Sequence, residues 1–121
     1  MKDDGAGVRR VSADTAEHYV WGGRCDGWHL VNQPELSVIR ERMPPGTAEV
    51  RHRHRQARPF FFVLSGVAIL EAGGSEYELR AGEGLEVAPG VAHQIFNRST
   101  DAVEFLVVSQ PHSHGDRDVI G

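Results

Sequence analysis

Gly46-Thr47-Ala48-Glu49-Val50-Arg51-His52-Arg53-His54, followed by the run Pro59-Phe60-Phe61-Phe62-Val63-Leu64-Ser65-Gly66, is the stretch whose reading decides the fold. His52 and His54 stand one residue apart, and on an extended segment such residues share a face because strand side chains alternate with period two. Both imidazoles can therefore approach one ion. A third imidazole, His93, lies inside Pro89-Gly90-Val91-Ala92-His93. Delivered by a later strand across a barrel, it would complete a metal site with positions left open for water or substrate.

Outward from this stretch the chain reads as short β segments. His18–Trp21, Trp28–Val31, Glu35–Met43, Ala48–His54, Pro59–Leu64, Ala68–Glu71, Glu76–Leu79, Leu85–Ala88, His93–Phe96 and Val103–Val108 are rich in β-branched and aromatic residues and are punctuated by Gly and Pro. Pro44-Pro45-Gly46 stops one strand, since a proline pair cannot continue a ladder. Gly73-Gly74 supplies the positive-φ turn of a hairpin. The run Phe60–Leu64 is apolar on both faces and is expected at the centre of the core. No stretch carries a helical period. The expectation is an all-β jelly-roll barrel, with residues 1–16 as a flexible N-terminal tail, 17–110 as the barrel domain and 111–121 as a polar C-terminal tail.

Composition bounds the function. A chain of 121 residues fits one domain of the usual size, roughly 100–150 residues. The formal net charge of −4 has the wrong sign for broad affinity to nucleic acid or an anionic membrane. Cys25 is the sole cysteine, which rules out an intrachain disulfide and reads as a small buried side chain. The first residues lack an apolar signal region and no later run approaches a membrane span, so a cytoplasmic protein is the expectation.

Two motif frames then fall into register. Gly46, five residues, His52-Arg53-His54, four residues, Pro59, six residues and Gly66 form the first. Gly82, five residues, Ala88-Pro89-Gly90-Val91-Ala92-His93, three residues and Asn97 form the second. In this the chain resembles the cupin family, over roughly Glu35 to Ser109, and the resemblance implies the double-stranded β-helix barrel. There are two departures. The family's ligand glutamate is replaced by Pro59, with Arg58 beside it, and neither side chain binds a cation; the first proline of the second motif is Ala88.

The resemblance implies a divalent transition metal, Zn, Fe, Ni, Mn or Cu, on His52, His54 and His93. Loss of the carboxylate leaves a neutral imidazole set that suits Zn, Fe, Ni or Cu better than Mg or Ca. Gln56, Arg58, Phe61 and Gln94 are the candidate ligand-pocket residues, Arg58 as an anion clamp. Arg51, Arg53 and Arg55 alternate against the histidines and are expected on a solvated face. His112 and His114 are expected in a solvated tail, and no residue stands out as a dedicated general base. The function expected is that of a small metal-binding cupin, a dioxygenase or isomerase acting on a small organic molecule. The competing reading is a binding or sensing module without turnover. The resemblance also implies a homodimer, with the segment from His18 to Val31 available to pair across subunits.

Overall fold

The computed structural model describes residues 7–113 and 115–120, and within them the chain forms strands and turns throughout. In chain order the strands are β1 (Glu17–Trp21), β2 (Cys25–Gln33), β3 (Leu36–Met43), β4 (His52–His54), β5 (Arg58–Ser65), β6 (Val67–Ala72), β7 (Ser75–Arg80), β8 (Gly84–Glu86), β9 (His93–Phe96), β10 (Val103–Gln110) and β11 (Arg117–Val119). They make two antiparallel sheets, a six-stranded one in the order β1-β2-β3-β10-β5-β8 and a five-stranded one in the order β11-β4-β9-β6-β7. The chain crosses between the sheets, which is the expected jelly-roll arrangement.

Alternation explains which residues meet between the sheets. In β10, Val103, Phe105 and Ser109 are buried while Glu104 and Leu106 turn outward. Met43, Val63, Leu70, Ile95, Val103 and Phe105 close the core at 1% exposure or less. Removing a side chain of this size from water contributes about 1.5–3 kcal/mol each. Cys25 belongs to the same cluster and is wholly buried. Gly66, at φ 81°, turns the chain from β5 into β6; a Cβ there would stand 2.5 Å from the Ala102 carbonyl oxygen, so no larger residue fits.

Three sequence expectations change. Phe60–Leu64 is not apolar-buried on both faces: β5 buries Phe61 and Val63, whereas Phe60 and Leu64 are 39% and 37% exposed. The strand lies within a sheet whose outer face carries no second layer of this chain. Ala48–His54 is not one strand. Only His52–His54 joins the ladder, because Gly46, Thr47 and Glu49 bind their backbones to Asn97 and Ile95 across the barrel, with a single bridge from Ala48 to Phe96. The stretch after Gln110 is not simply a tail. Arg117–Val119 pairs with β4, and the Ile120 N–H donates to the Arg51 carbonyl at 2.8 Å.

At the other end, Ala16 N–H closes a turn on Ser12, and the Arg9 guanidinium donates to the Leu30 carbonyl. Residues 1–6 of the expected tail lie outside the described residues. Among the described residues no helix is long and apolar enough to cross a membrane.

Candidate metal centre

β4 is only three residues long, yet its alternation is complete: His52 and His54 are 4% and 8% exposed and Arg53 faces outward. Antiparallel pairing sets His52 directly opposite His93 of β9, so the two side chains share a face. The ring centroids are 4.9 Å apart for His52 and His54, 4.5 Å for His52 and His93, and 5.7 Å for His54 and His93. One nitrogen from each ring falls within 4.8 Å of the others, and among the described residues these three histidines are the group so arranged.

The backbone orients the rings. His52 Nδ1 lies 2.8 Å from the Val50 carbonyl and His93 Nδ1 3.0 Å from the Val91 carbonyl. A carbonyl only accepts, so in both rings Nδ1 carries the proton and Nε2 keeps its lone pair. The Nε2 of His93 is buried and has no hydrogen-bond partner, as is Nδ1 of His54. Burial pushes the His52 imidazole down to about 3, and burial likewise lowers His54 and His93. The set is neutral at physiological pH, which is the form that ligates a cation. Three neutral imidazoles, two of them carrying a buried nitrogen without a partner, fit a borderline transition ion.

Beside the histidines lies a cavity of about 500 Å³, into which His52, His54, Pro59 and Phe61 project. Its far wall holds groups that the sequence reading missed. Glu41 of β3 stands in the ladder between Gly27 and Phe105, in the inward register of Met43. The Tyr19 hydroxyl donates to its carboxylate at 2.8 Å. Gly27 makes room for that contact: a Cβ there would meet the Tyr19 ring at 2.2 Å. Glu49, in the loop before β4, places Oε1 4.0 Å from His52 Nδ1, buried and with no hydrogen-bond partner.

Burial pushes Glu41 up to about 7 and Glu49 up to about 8. The sequence expectation singled out no dedicated general base; Glu41 and Glu49 are carboxyls on the cavity wall raised toward neutrality by burial, the kind of group that proton transfer uses. The signal was available in part: Glu41 occupies the inward phase of Ser37, Ile39 and Met43.

Of the four expected pocket residues, Phe61 lines the cavity. The other three are not among its walls. Gln94 follows inward His93 and so turns outward, where its amide donates to the Glu49 carbonyl at 2.8 Å. Arg58 alternates against inward Pro59 and lies 3.4 Å from Glu86. Gln56 sits in an exposed turn held by Asp116, whose carboxylate accepts the backbone N–H of Arg55, Gln56 and Ala57 at 3.1, 2.9 and 2.8 Å. Burial works to raise Asp116, but these N–H groups hold it below its usual range. His112 is not a solvated tail residue. It lines the cavity and its Nε2 meets Asn32 Oδ1 at 2.6 Å, while His114 lies outside the described residues.

Comparison with known proteins agrees with this architecture. The profile of the cupin domain matches residues 39–109. The oxalate-binding protein of Thermotoga maritima is 28% identical over 91 residues, 71% of this chain and 75% of that protein. An uncharacterised protein of Methanocaldococcus jannaschii is 23% identical over 79 residues, 64% of this chain, and the match spans 63% of that protein's length. Among solved structures, a conserved protein of Klebsiella pneumoniae with a double-stranded β-helix domain superposes with a TM-score of 0.79 at 22% identity, covering 94% of this chain and 98% of that one.

Proposed function

This chain belongs to the cupin domain family, and from that premise we propose that it binds a divalent transition metal, Zn, Fe, Ni, Mn or Cu, through His52, His54 and His93 and acts on a small organic molecule in the adjoining cavity. The observation that carries the reading is the convergence of three neutral imidazoles, two of them fixed at Nδ1 by carbonyls, on one point at the cavity wall. A bound ion of this kind supplies Lewis acidity and open coordination positions.

The residues of the chain do the rest. Phe61 and Pro59 give the histidine side of the cavity an apolar surface. The Glu41 carboxyl holds or releases a proton at its oxygens, with the Tyr19 hydroxyl fixing its orientation. Such a group favours the isomerase-like reaction, a proton moved between carbons, over a dioxygenase-like one. Deuterium incorporation from D₂O into hydroxycarbonyl compounds, measured by NMR with the metal-loaded protein, tests the first. Oxygen uptake with Fe(II) tests the second.

A second reading is a binding module without turnover. Pro59 supports it, standing in the cavity wall where the family motif carries a ligand glutamate. So does the 28% identity to a relative named for binding oxalate. Metal analysis of the untagged protein, purified without chelators, decides the common ground: one ion per chain is expected, and none after reconstitution ends both metal readings. A metal-loaded protein inert in both turnover assays leaves the binding module.

The partner expected for the fold is a second copy. The outer face of the six-stranded sheet supports it, with Phe60 and Phe62 stacked at 6.2 Å and Phe60, Leu64 and Val20 exposed. Light scattering is expected to give twice 13.3 kDa; a monomer mass at micromolar concentration refutes it.

A further inference from the structure

The ladder between β11 and β4 carries a residue whose position the sequence could not show. Arg117 pairs directly opposite His54, and cross-strand partners share a face, so the guanidinium turns toward the cavity that His54 faces. It is one of the residues lining that cavity and, among the described residues, the one arginine there. Its neighbour Asp118 takes the opposite face and binds Arg53 and Arg55 at 3.5 and 3.7 Å. Asp116, on the other side, clips the strand start to residues 55–57. Arg117 is therefore held at the mouth by a backbone tied at both ends.

What its side chain does not do is equally informative. Other arginines have partners: Arg40 binds Glu104 at 2.6 Å, Arg51 binds Glu71 at 2.7 Å and Arg98 binds Glu76 at 2.9 Å. Arg117 has no carboxylate within 4.0 Å among the described residues, although its charge reaches Glu41, Glu49 and all three histidines. A planar fork of five N–H donors stands open at the cavity mouth.

We propose that Arg117 is the anion-recognising residue of this cavity and that the ligand is a small organic acid. Its carboxylate or phosphate group takes the guanidinium in a bidentate pair, while its remaining atoms lie against Trp21, Ile39 and Phe61. The inference rests on the reading that this cavity is the ligand site, and not on the metal. It also replaces Arg58 as the clamp, which the strand alternation turns away.

The test is calorimetric titration of the chelator-treated and the metal-loaded protein with glycolate, malonate, glycerol 3-phosphate and the neutral analogue glycolamide. The variants are Arg117→Ala, Arg117→Lys and, as an off-cavity control on β3, Arg42→Ala. At least one anion is expected to bind, with about tenfold or more weaker affinity in Arg117→Ala and an intermediate value in Arg117→Lys, which keeps the charge and loses the fork. Glycolamide is expected to ignore the Arg117 substitutions, and Arg42→Ala to match the parent. Binding by a carboxylate alone or by glycerol 3-phosphate alone names the anion. Because Arg117 has no carboxylate within 4.0 Å among the described residues, Arg117→Ala should keep the parent's circular dichroism and cooperative unfolding, so lost binding reports recognition and not unfolding.

Undiminished anion binding in Arg117→Ala overturns the proposal, as does equal loss of glycolamide or the failure of every anion to bind. If the metal reading fails, the chelator-treated and metal-loaded arms coincide while the Arg117 dependence persists, so the two failures are told apart.

Discussion

The two walls of the cavity are built on opposite plans. The histidine wall rests on β4 and β9, strands of three and four residues joined by a single residue pair. The opposite wall rests on β3 and β10, eight residues each, paired along seven positions. The long ladder holds itself through its own hydrogen bonds and the side chains of the core. The short strands meet each other at one pair only; β9 is laddered to β6 along four positions and β4 to β11 along three, and polar side chains tie the turns beside them. Asn97, buried at 1% exposure, donates to the Met43 and Asp101 carbonyls at 2.9 and 2.8 Å and accepts from Ser99. The Asp116 clip holds the turn after β4. The lesson is that the long wall is one continuous ladder, while the chemistry sits at a seam of a single residue pair whose two strands are held by separate flanking ladders and a few polar hooks.

Breaking the long wall should have the largest effect. Phe105 of β10 is wholly buried, and Phe105→Ala should cost about 3–5 kcal/mol of unfolding free energy, read by urea denaturation, through lost burial and the cavity left behind. Breaking the short wall at its functional point should do something different in kind. His93→Ala should weaken metal affinity by more than the roughly 100-fold typical of losing an outer partner, measured by competition with a chromogenic chelator. His93 is buried against Phe61, so some stability should be lost as well, and the affinity is read on protein shown to be folded by circular dichroism. A His93→Ala protein that keeps parental affinity would place the metal elsewhere.

Between these lies the hook. Asn97→Ala leaves the Met43 and Asp101 carbonyls and the Ser99 groups without their buried partner, a cost of about 1–3 kcal/mol. If the short wall does depend on Asn97, metal affinity should fall together with stability. A loss of stability alone would show β9 to be self-supporting and would weaken the contrast between the walls.

The same contrast decides what could be read in the sequence. The frames from Gly46 to Gly66 and from Gly82 to Asn97 were legible because residue spacing along short strands and turns is itself the geometry, and His52, His54 and His93 come together as their phase requires. The run Phe60–Leu64 misled because apolar character on both faces says nothing about whether a second layer covers the outer one. Arg58, Gln56 and Gln94 were placed by proximity in sequence to the motif, and the two-residue period set Arg58 and Gln94 facing the other way. Arg117 was illegible because a three-residue strand after Pro111 has no apolar alternation to announce it. Glu41 was half legible: its phase was inward, but only the pairing with Gly27 and Phe105 shows that a carboxyl is buried there.

That buried carboxyl gives the smallest effect and the sharpest comparison of the walls, since acid and imidazole titrate in opposite senses. In the metal-free protein, burial raises Glu41 from 4.5 to about 7, so the folded chain holds this proton more tightly than the unfolded one. Stability should fall as pH rises from 4.5 through about 7, and burial of Glu49 extends the fall to about 8. His52, lowered by burial from 6.5 to about 3, works the other way: the unfolded imidazole takes up a proton first, so stability is lost as pH falls from 6.5 toward 3. The slopes oppose one another between 4.5 and 6.5, and above 6.5 the acid wall acts alone. The metal-free protein should therefore lose on the order of 1–2 kcal/mol between pH 6.5 and 8, measured by urea denaturation at several pH values. Glu41→Gln should flatten part of that decline and steepen the loss between pH 6.5 and 4.5, where its opposing slope is gone, whereas His52→Gln should flatten the acid-side loss and leave the decline toward pH 8 largely in place. A parent protein whose stability is flat or rising above pH 6.5 would mean that Glu41 and Glu49 are already ionised when folded. Among the described residues the cation that acts on both is Arg117, which would then be their counterion and not a ligand's.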